Sequence, residues 1–496
     1  MNDESTGKFR LAPHLSNRIT RLLGIASLAL LVGFSDASGA PVTWISSTGE
    51  QPWRQMPEPP LRPGSPERTP AEVRVEQGTT YQTIDGFGGC FNELGWVALG
   101  KALPSDRKRV LSALFGDEGC AFVLARLPIG ASDYALDGYS LDDAPNDMAL
   151  GRFSIERDKK RLIPFVKAAM AVRPTLQCWG SPWSPPAWMK TNNSYSKGSL
   201  KWEPDILRAY ATYIALWVEA YRADGINVYG LTPQNEPNIL NVYPTCLWTG
   251  SQLREFIADY LGPTLRDRKT NVEIWLGLNG DPQNNGNDPN DRLATVLGDP
   301  KANAFLTGIG FQYDSKKQIC KARDLYPDKK LMQSETECQN GANSWGDAQR
   351  LYALMKRYLD CGANSYFLWN MVLDETGMST WKWRQNAAIT VNRNTGEVTY
   401  NGEYYVMRHF SQFVKPGAKR VLTAGVWGDK IAFVNPDGSI VLVVGNTAKQ
   451  PHEIALMVTD RPDGDTIQVT LPANSINTFV VASQNSATRQ SNHPLP

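Results

Sequence analysis

From residue 83 onward, short apolar runs alternate with stretches of helical periodicity, and no other feature constrains the fold as much. Runs that read as strands fall near 83–89, 121–127, 175–181, 228–235, 272–278, 307–313, 330–335 and 364–370. The clearest helical stretch is Asp205–Ala223, with Ile206, Tyr210, Tyr213, Ile214, Trp217 and Tyr221 on one face and Gly225 as the stop. A second covers Ile155–Val172. Strands alternating with helices imply a parallel sheet covered on both faces. Eight of them over about 290 residues predict a closed (β/α)8 barrel, a TIM barrel of the α/β class, spanning 83–413.

Two of the expected strands end in glutamates. Lys330-Leu331-Met332-Gln333-Ser334-Glu335 and Tyr229-Gly230-Leu231-Thr232-Pro233-Gln234-Asn235-Glu236-Pro237 share that design. The active sites of such barrels lie at the C-terminal strand ends, and two carboxylates facing each other there are what hydrolysis of a sugar bond requires. On this reading Glu236 is the acid/base and Glu335 the nucleophile. Glu337 would project on the same side of a continuing strand, so it stands as the alternative to Glu335. Asn235 is placed to bond a sugar 2-hydroxyl. Arg126, at the end of the second strand, is placed to hold a carboxylate or to serve a structural ion pair. Asp133 could take sugar hydroxyls and Trp183 could wall the pocket. Tyr313 is expected to hydrogen-bond the nucleophile, and Trp369-Asn370 to form a floor.

Other chemistries find little support. The four histidines (14, 409, 452, 493) lie outside the central strand–helix units, which argues against a histidine triad or a histidine-bound zinc. No nucleophile elbow, phosphate loop or dinucleotide fingerprint occurs. A net charge of +1 with no basic stripe argues against nucleic acid as a partner. The loop Asn279–Asp291 is rich in Asn, Asp and Gly but lacks regular calcium-ligand spacing, so it reads as a solvated loop. No metal or cofactor is expected. The seven cysteines form no Cys-x-x-Cys pair and read mostly as buried thiols.

The ends have their own character. Residues 1–21 are polar and net basic, Leu22–Phe34 is largely apolar, and Ser38-Gly39-Ala40 offers a cleavage site. Residues 1–40 therefore read as a secretory signal, too short to span a membrane, with cleavage near Ala40 and a secreted or periplasmic product. Residues 41–71 form a Pro-rich extended or poorly ordered lead-in, and 72–82 a strand that joins a later β domain. That β-sandwich covers 414–484, with strands expected at 431–434, 439–444, 452–458, 466–471 and 478–481. Residues 485–496 are expected to be a disordered tail.

Several segments belong together: Gly86-Phe87-Gly88-Gly89, Arg126-Leu127-Pro128-Ile129-Gly130-Ala131-Ser132-Asp133, and Ser181–Asn192 with its Pro182-Trp183-Ser184-Pro185-Pro186 core. Gln234-Asn235-Glu236-Pro237, Ser334-Glu335, Trp369-Asn370 and Tyr404–Phe413 complete the set. As a set they resemble glycoside hydrolase family 30, which includes glucosylceramidases and endo-β-1,6-glucanases. The resemblance implies a retaining enzyme with a barrel and a side β-sandwich, Glu236 as acid/base and Glu335 as nucleophile. It implies glycone contacts from Asp133, Trp183, Asn235 and Trp369, with Arg126 and Tyr313 near the nucleophile. One departure is Thr336-Glu337-Cys338, where the glucosylceramidase pattern has one residue fewer before its cysteine. The substrate expected is a β-linked glycan or glycolipid, either a glucosylceramide-like β-glucoside or β-1,6-glucan. Xylan or glucuronoxylan cleavage by the same glutamates is the alternative, and a non-catalytic carbohydrate-binding protein the alternative of another class.

Overall fold

The computed structural model describes residues 41–62, 71–279, 289–458 and 466–483. The expected signal segment, the C-terminal tail and most of loop 279–291 lie outside them. No described helix is long and apolar enough to cross a membrane.

Eight parallel strands close into a barrel: β1 Gly86–Cys90, β2 Leu124–Ile129, β3 Gln177–Pro182, β4 Val228–Leu231, β5 Glu273–Asn279, β6 Leu306–Gln312, β7 Lys330–Glu335 and β8 Ser365–Asn370. Each pairs with the next, and β8 returns to β1. The alternation along each strand explains why the runs are apolar throughout. Cys178, Ile274, Leu276, Leu331, Tyr366 and Leu368 face the helices. Their neighbours Trp179, Trp275, Met332 and Phe367 fill the barrel interior. The glycines of β1 answer to close approach. A Cβ on Gly88 would lie 2.1 Å from the Leu124 carbonyl oxygen, and one on Gly89 2.3 Å from Met371 Cγ.

Two expectations need correction. Ile155–Val172 is not one helix but two, Glu156–Arg161 and Ile163–Val172. Pro164 supplies no N–H to the preceding turn, so the helix stops and restarts there. The segment 41–71 is also more than a lead-in. Val42–Ser47 is a six-residue strand paired along its whole length with Ser475–Val481, and Arg54–Gln55 and Leu61–Arg62 add short edges.

The β domain is a ten-stranded sheet. Val73–Thr83 lies within it, between Lys419–Ala424 and His452–Met457. Residues from both ends of the strand order, such as Trp44, Leu442 and Phe479 with Ile454, Ile467 and Leu471, share one apolar core. The sheet therefore folds over on itself as a sandwich. A disulfide joins Cys320 to Cys361, and the other five cysteines are buried free thiols.

Candidate active site

At the C-terminal mouth of the barrel lies a cavity of about 460 Å³, within the usual range for a small-molecule site. Asp133, Trp183, Glu236, Tyr313 and Glu335 line it, together with Ile239, Asn241, Tyr243, Asn279, Lys316, Glu337 and Trp383. Arg126, Asn235 and Trp369 stand directly behind that lining, fully or almost fully buried.

Glu335 closes β7, with its carboxylate turned inward and 4% of the residue exposed. Arg126, which is fully buried, organises the space behind it. One guanidinium nitrogen donates to Glu335 Oε2 at 2.6 Å and to the Ser334 carbonyl at 3.0 Å. The other donates to Asn235 Oδ1 at 2.6 Å and Ser181 Oγ at 3.0 Å. Three indoles enclose the cation, with ring centroids 4.7 Å (Trp183), 5.5 Å (Trp179) and 5.6 Å (Trp369) from its Cζ. A flat, delocalised cation suits such a box, where a lysine could not span both partners. Trp183 and Trp369 stack at 5.3 Å, so Trp369 supports the cavity wall from behind.

Strand β4 stops at Leu231, earlier than its apolar pattern implied, but Asn235 N–H still donates to the Pro182 carbonyl at 2.7 Å. Glu236 follows in left-handed backbone (φ 42°), a conformation that costs about 1–2 kcal/mol in a non-glycine residue and persists where surroundings enforce it. Its carboxyl accepts from Tyr243 Oη at 3.0 Å and from Asn279 Nδ2 at 2.6 Å.

The two glutamates sit in unequal fields. Burial, reinforced by the charge of Glu335, pushes the Glu236 carboxyl up to about 8. Burial raises Glu335 as well, and the net direction stays upward although Arg126 opposes it by charge and by hydrogen bond. Asp133 is pushed well above the carboxylate range by burial and by both glutamates. The mouth of the barrel thus holds a carboxyl pushed up to about 8, beside a second one whose charged form a guanidinium stabilises.

Glu337 occupies a different place. It pairs with Lys316 at the cavity rim, and a quarter of its side chain is exposed. Tyr313 reaches the cavity in left-handed backbone (φ 43°), but no hydrogen bond to Glu335 forms among the described residues. Asn370 lies beneath the site, joined to Asn92 and Gln385. The partners that sequence reasoning missed are Tyr243, Gln312 and Ser181. Asn279 was read only as the start of a loop, although its place at the end of β5 was the available signal. No group of His, Cys, Asp or Glu that could hold a metal occurs among the described residues.

Comparison with known proteins agrees with this architecture. Residues 84–414 match the model of the glycosyl hydrolase family 30 TIM-barrel domain, and 417–479 that of the family 30 beta sandwich domain. The chain is 29% identical to the lysosomal acid glucosylceramidase of Mus musculus, over 81% of each chain. It is 28% identical to the endo-1,6-beta-D-glucanase of Neurospora crassa, over 81% of this chain and 85% of that one. The solved structure of the endo-beta1,6-glucanase BT3312 superposes with a TM-score of 0.79 at 25% identity, covering 90% of this chain and all of that one. With both domain models matched along a barrel and sandwich of this form, the chain belongs to glycoside hydrolase family 30 and is a glycosidase.

Proposed function

We propose that the protein is a retaining β-glycosidase that cleaves β-glucosidic bonds, with Glu335 as nucleophile and Glu236 as acid/base. The observation that carries this reading is the unequal pair: a Glu236 carboxyl raised to about 8 beside a Glu335 whose negative charge Arg126 stabilises at 2.6 Å. Glu335 attacks the anomeric carbon while Glu236 gives its proton to the departing oxygen, leaving a glycosyl ester on Glu335. Esterification removes the negative charge that helped raise Glu236, so its pKa falls. It then takes a proton from water as that water attacks the ester, and Glu335 is released as carboxylate. Arg126 and Gln312 both donate to Asn235 Oδ1, which turns the Asn235 amide N–H toward a sugar hydroxyl. Asp133, whose buried Oδ1 meets no hydrogen-bond partner among the described residues, is suited to accept from another hydroxyl.

Glucose as the glycone is supported by the relatives named glucosylceramidase and endo-1,6-β-glucanase. Leu240 and Val242, which flank the cavity residue Asn241 in the chain, are exposed and offer apolar surface to a leaving group. Export is supported by the basic–apolar–small pattern of residues 1–40 and by the Cys320–Cys361 disulfide, which an oxidising compartment sustains.

The test is intact-mass analysis and peptide mapping after incubation with an activated fluoro-β-glucoside, which forms the glycosyl-enzyme quickly and releases it slowly. The expected result is one label, on Glu335. A label on Glu337 would move the nucleophile. An unlabelled enzyme that still cleaves aryl xylosides would replace glucose by xylose.

A further inference from the structure

Lys190 is a fully buried lysine that the reaction just described does not use. Its ammonium donates to Ser184 Oγ at 3.1 Å, to the Tyr195 carbonyl at 2.8 Å and to the Thr245 carbonyl. Three N–H bonds meet three acceptors, and no carboxylate pairs with the charge among the described residues. Burying an ammonium against neutral dipoles is costly, and a methionine would fill the same space without that cost. The geometry shows what the charge does there. Ser184 and Tyr195 belong to the loop after β3, which carries Trp183. Thr245 belongs to the loop after β4, which carries Glu236 and Tyr243.

The two loops are stitched together around this point. Thr245 N–H donates to the Tyr195 carbonyl at 3.0 Å, Lys197 N–H to Thr245 Oγ1 at 2.9 Å, and Ser196 Oγ to the Val242 carbonyl at 2.7 Å. Val242 and Thr245 flank Tyr243, whose hydroxyl donates to Glu236. We propose that Lys190 is a positioning residue: it fixes the loop that holds Tyr243 on Glu236, and so sets the acid that protonates the leaving group. The proposal rests on the reading of Glu236 as that acid.

A residue that acts through the acid has a signature that a merely structural one lacks. Aryl β-glucosides with good leaving groups need little protonation, while those with poor ones need it fully. The experiment measures kcat/KM over a series from dinitrophenyl to unsubstituted phenyl β-glucoside. It compares wild type, Lys190→Met, Tyr243→Phe, the double variant and Glu236→Gln. Lys190→Met is expected to lose about tenfold or more on the phenyl substrate and little on the dinitrophenyl one, a part of the roughly 10²–10⁴-fold an acid supplies. Tyr243→Phe should tilt the series the same way, and the double variant should fall no further than the larger single loss. Equal loss across the series for Lys190→Met, or multiplied losses in the double variant, overturns the proposal. Glu236→Gln must tilt most steeply. A flat series for Glu236→Gln refutes the acid assignment itself, whereas a steep Glu236→Gln beside a flat Lys190→Met refutes only the role of Lys190. If Lys190→Met does not fold, Ser184→Ala removes one acceptor and leaves the charge. It is then expected to show a smaller loss with the same tilt, and a flat loss counts against the proposal.

Discussion

Glu236 combines left-handed backbone, near-complete burial and a carboxyl pushed up to about 8 by burial and by Glu335. Each of these opposes folding and serves acid catalysis. The linkage has a definite sign. Below the ordinary value of 4.5 the side chain is protonated whether the chain is folded or not. Between 4.5 and about 8 the unfolded chain releases the proton that the folded one keeps, so stability falls as pH rises through this window. Glutamine does not titrate. Glu236→Gln is therefore expected to lose activity on substrates whose leaving group needs protonation, and to raise the melting temperature by about 2 °C or more at pH 8 and by less at pH 5. Calorimetry at the two pH values checks this, and an increment independent of pH contradicts it. Both glutamates were legible in the sequence because a carboxylate ending an apolar strand is a local pattern. Tyr243 and Asn279, which bond Glu236, were not legible as such, since Tyr243 lies seven residues on in the same irregular loop, whose course no periodicity fixes, and Asn279 ends the neighbouring strand.

Elements show the same division. The eight barrel strands were readable because each is apolar on both faces and separated by helix-length spacers. Val42–Ser47 was hidden by the Pro-rich composition around it, and it is a strand only because Ser475–Val481, more than 400 residues away, offers an edge. The cysteine pairing was likewise silent. Cys320 lies in the first turn of a short helix, Ile319–Leu325, and Cys361 follows Trp345–Asp360, so the disulfide encloses β7 and its nucleophile in a loop of 41 residues. Closing a loop of that length restricts the unfolded chain by about 4 kcal/mol in the chain-entropy picture. The strand itself is held by its neighbours β6 and β8 and by Arg126. Replacing both cysteines by serine is expected to lower the melting temperature by roughly 5 °C while leaving kcat and KM near wild type. A fall in kcat with unchanged stability would show instead that the bond positions Glu335.

At the scale of the molecule, barrel and sandwich share a core. Ile431, Phe433, Val441, Val443 and Ile476 of the sandwich pack in one cluster with Tyr352, Met355 and Phe410 of the barrel helices. His409 lies at the centre of this joint. From the last barrel helix, Gly402–Ser411, its ring nitrogens meet Ser47 Oγ and Thr478 Oγ1, both at 2.8 Å, on the first and last long strands of the sandwich. Burial pushes its pKa down to about 3, so the ring is neutral in the folded protein. Above pH 6.5 the ring is neutral in both states. As pH falls below 6.5 the unfolded chain binds a proton that the folded one refuses, and stability drops by about 1.4 kcal/mol per pH unit until the folded ring titrates. Two domains joined in this way should unfold together in urea, in one transition seen equally by barrel and sandwich probes. Between pH 7 and 5 the wild type should lose about 2 kcal/mol more than His409→Gln, which keeps a polar side chain at the joint but carries no titrating ring. Two separate transitions would mean that the shared core does not couple the domains. Parallel pH dependences in wild type and variant would mean that His409 is not the group through which acid opens the joint.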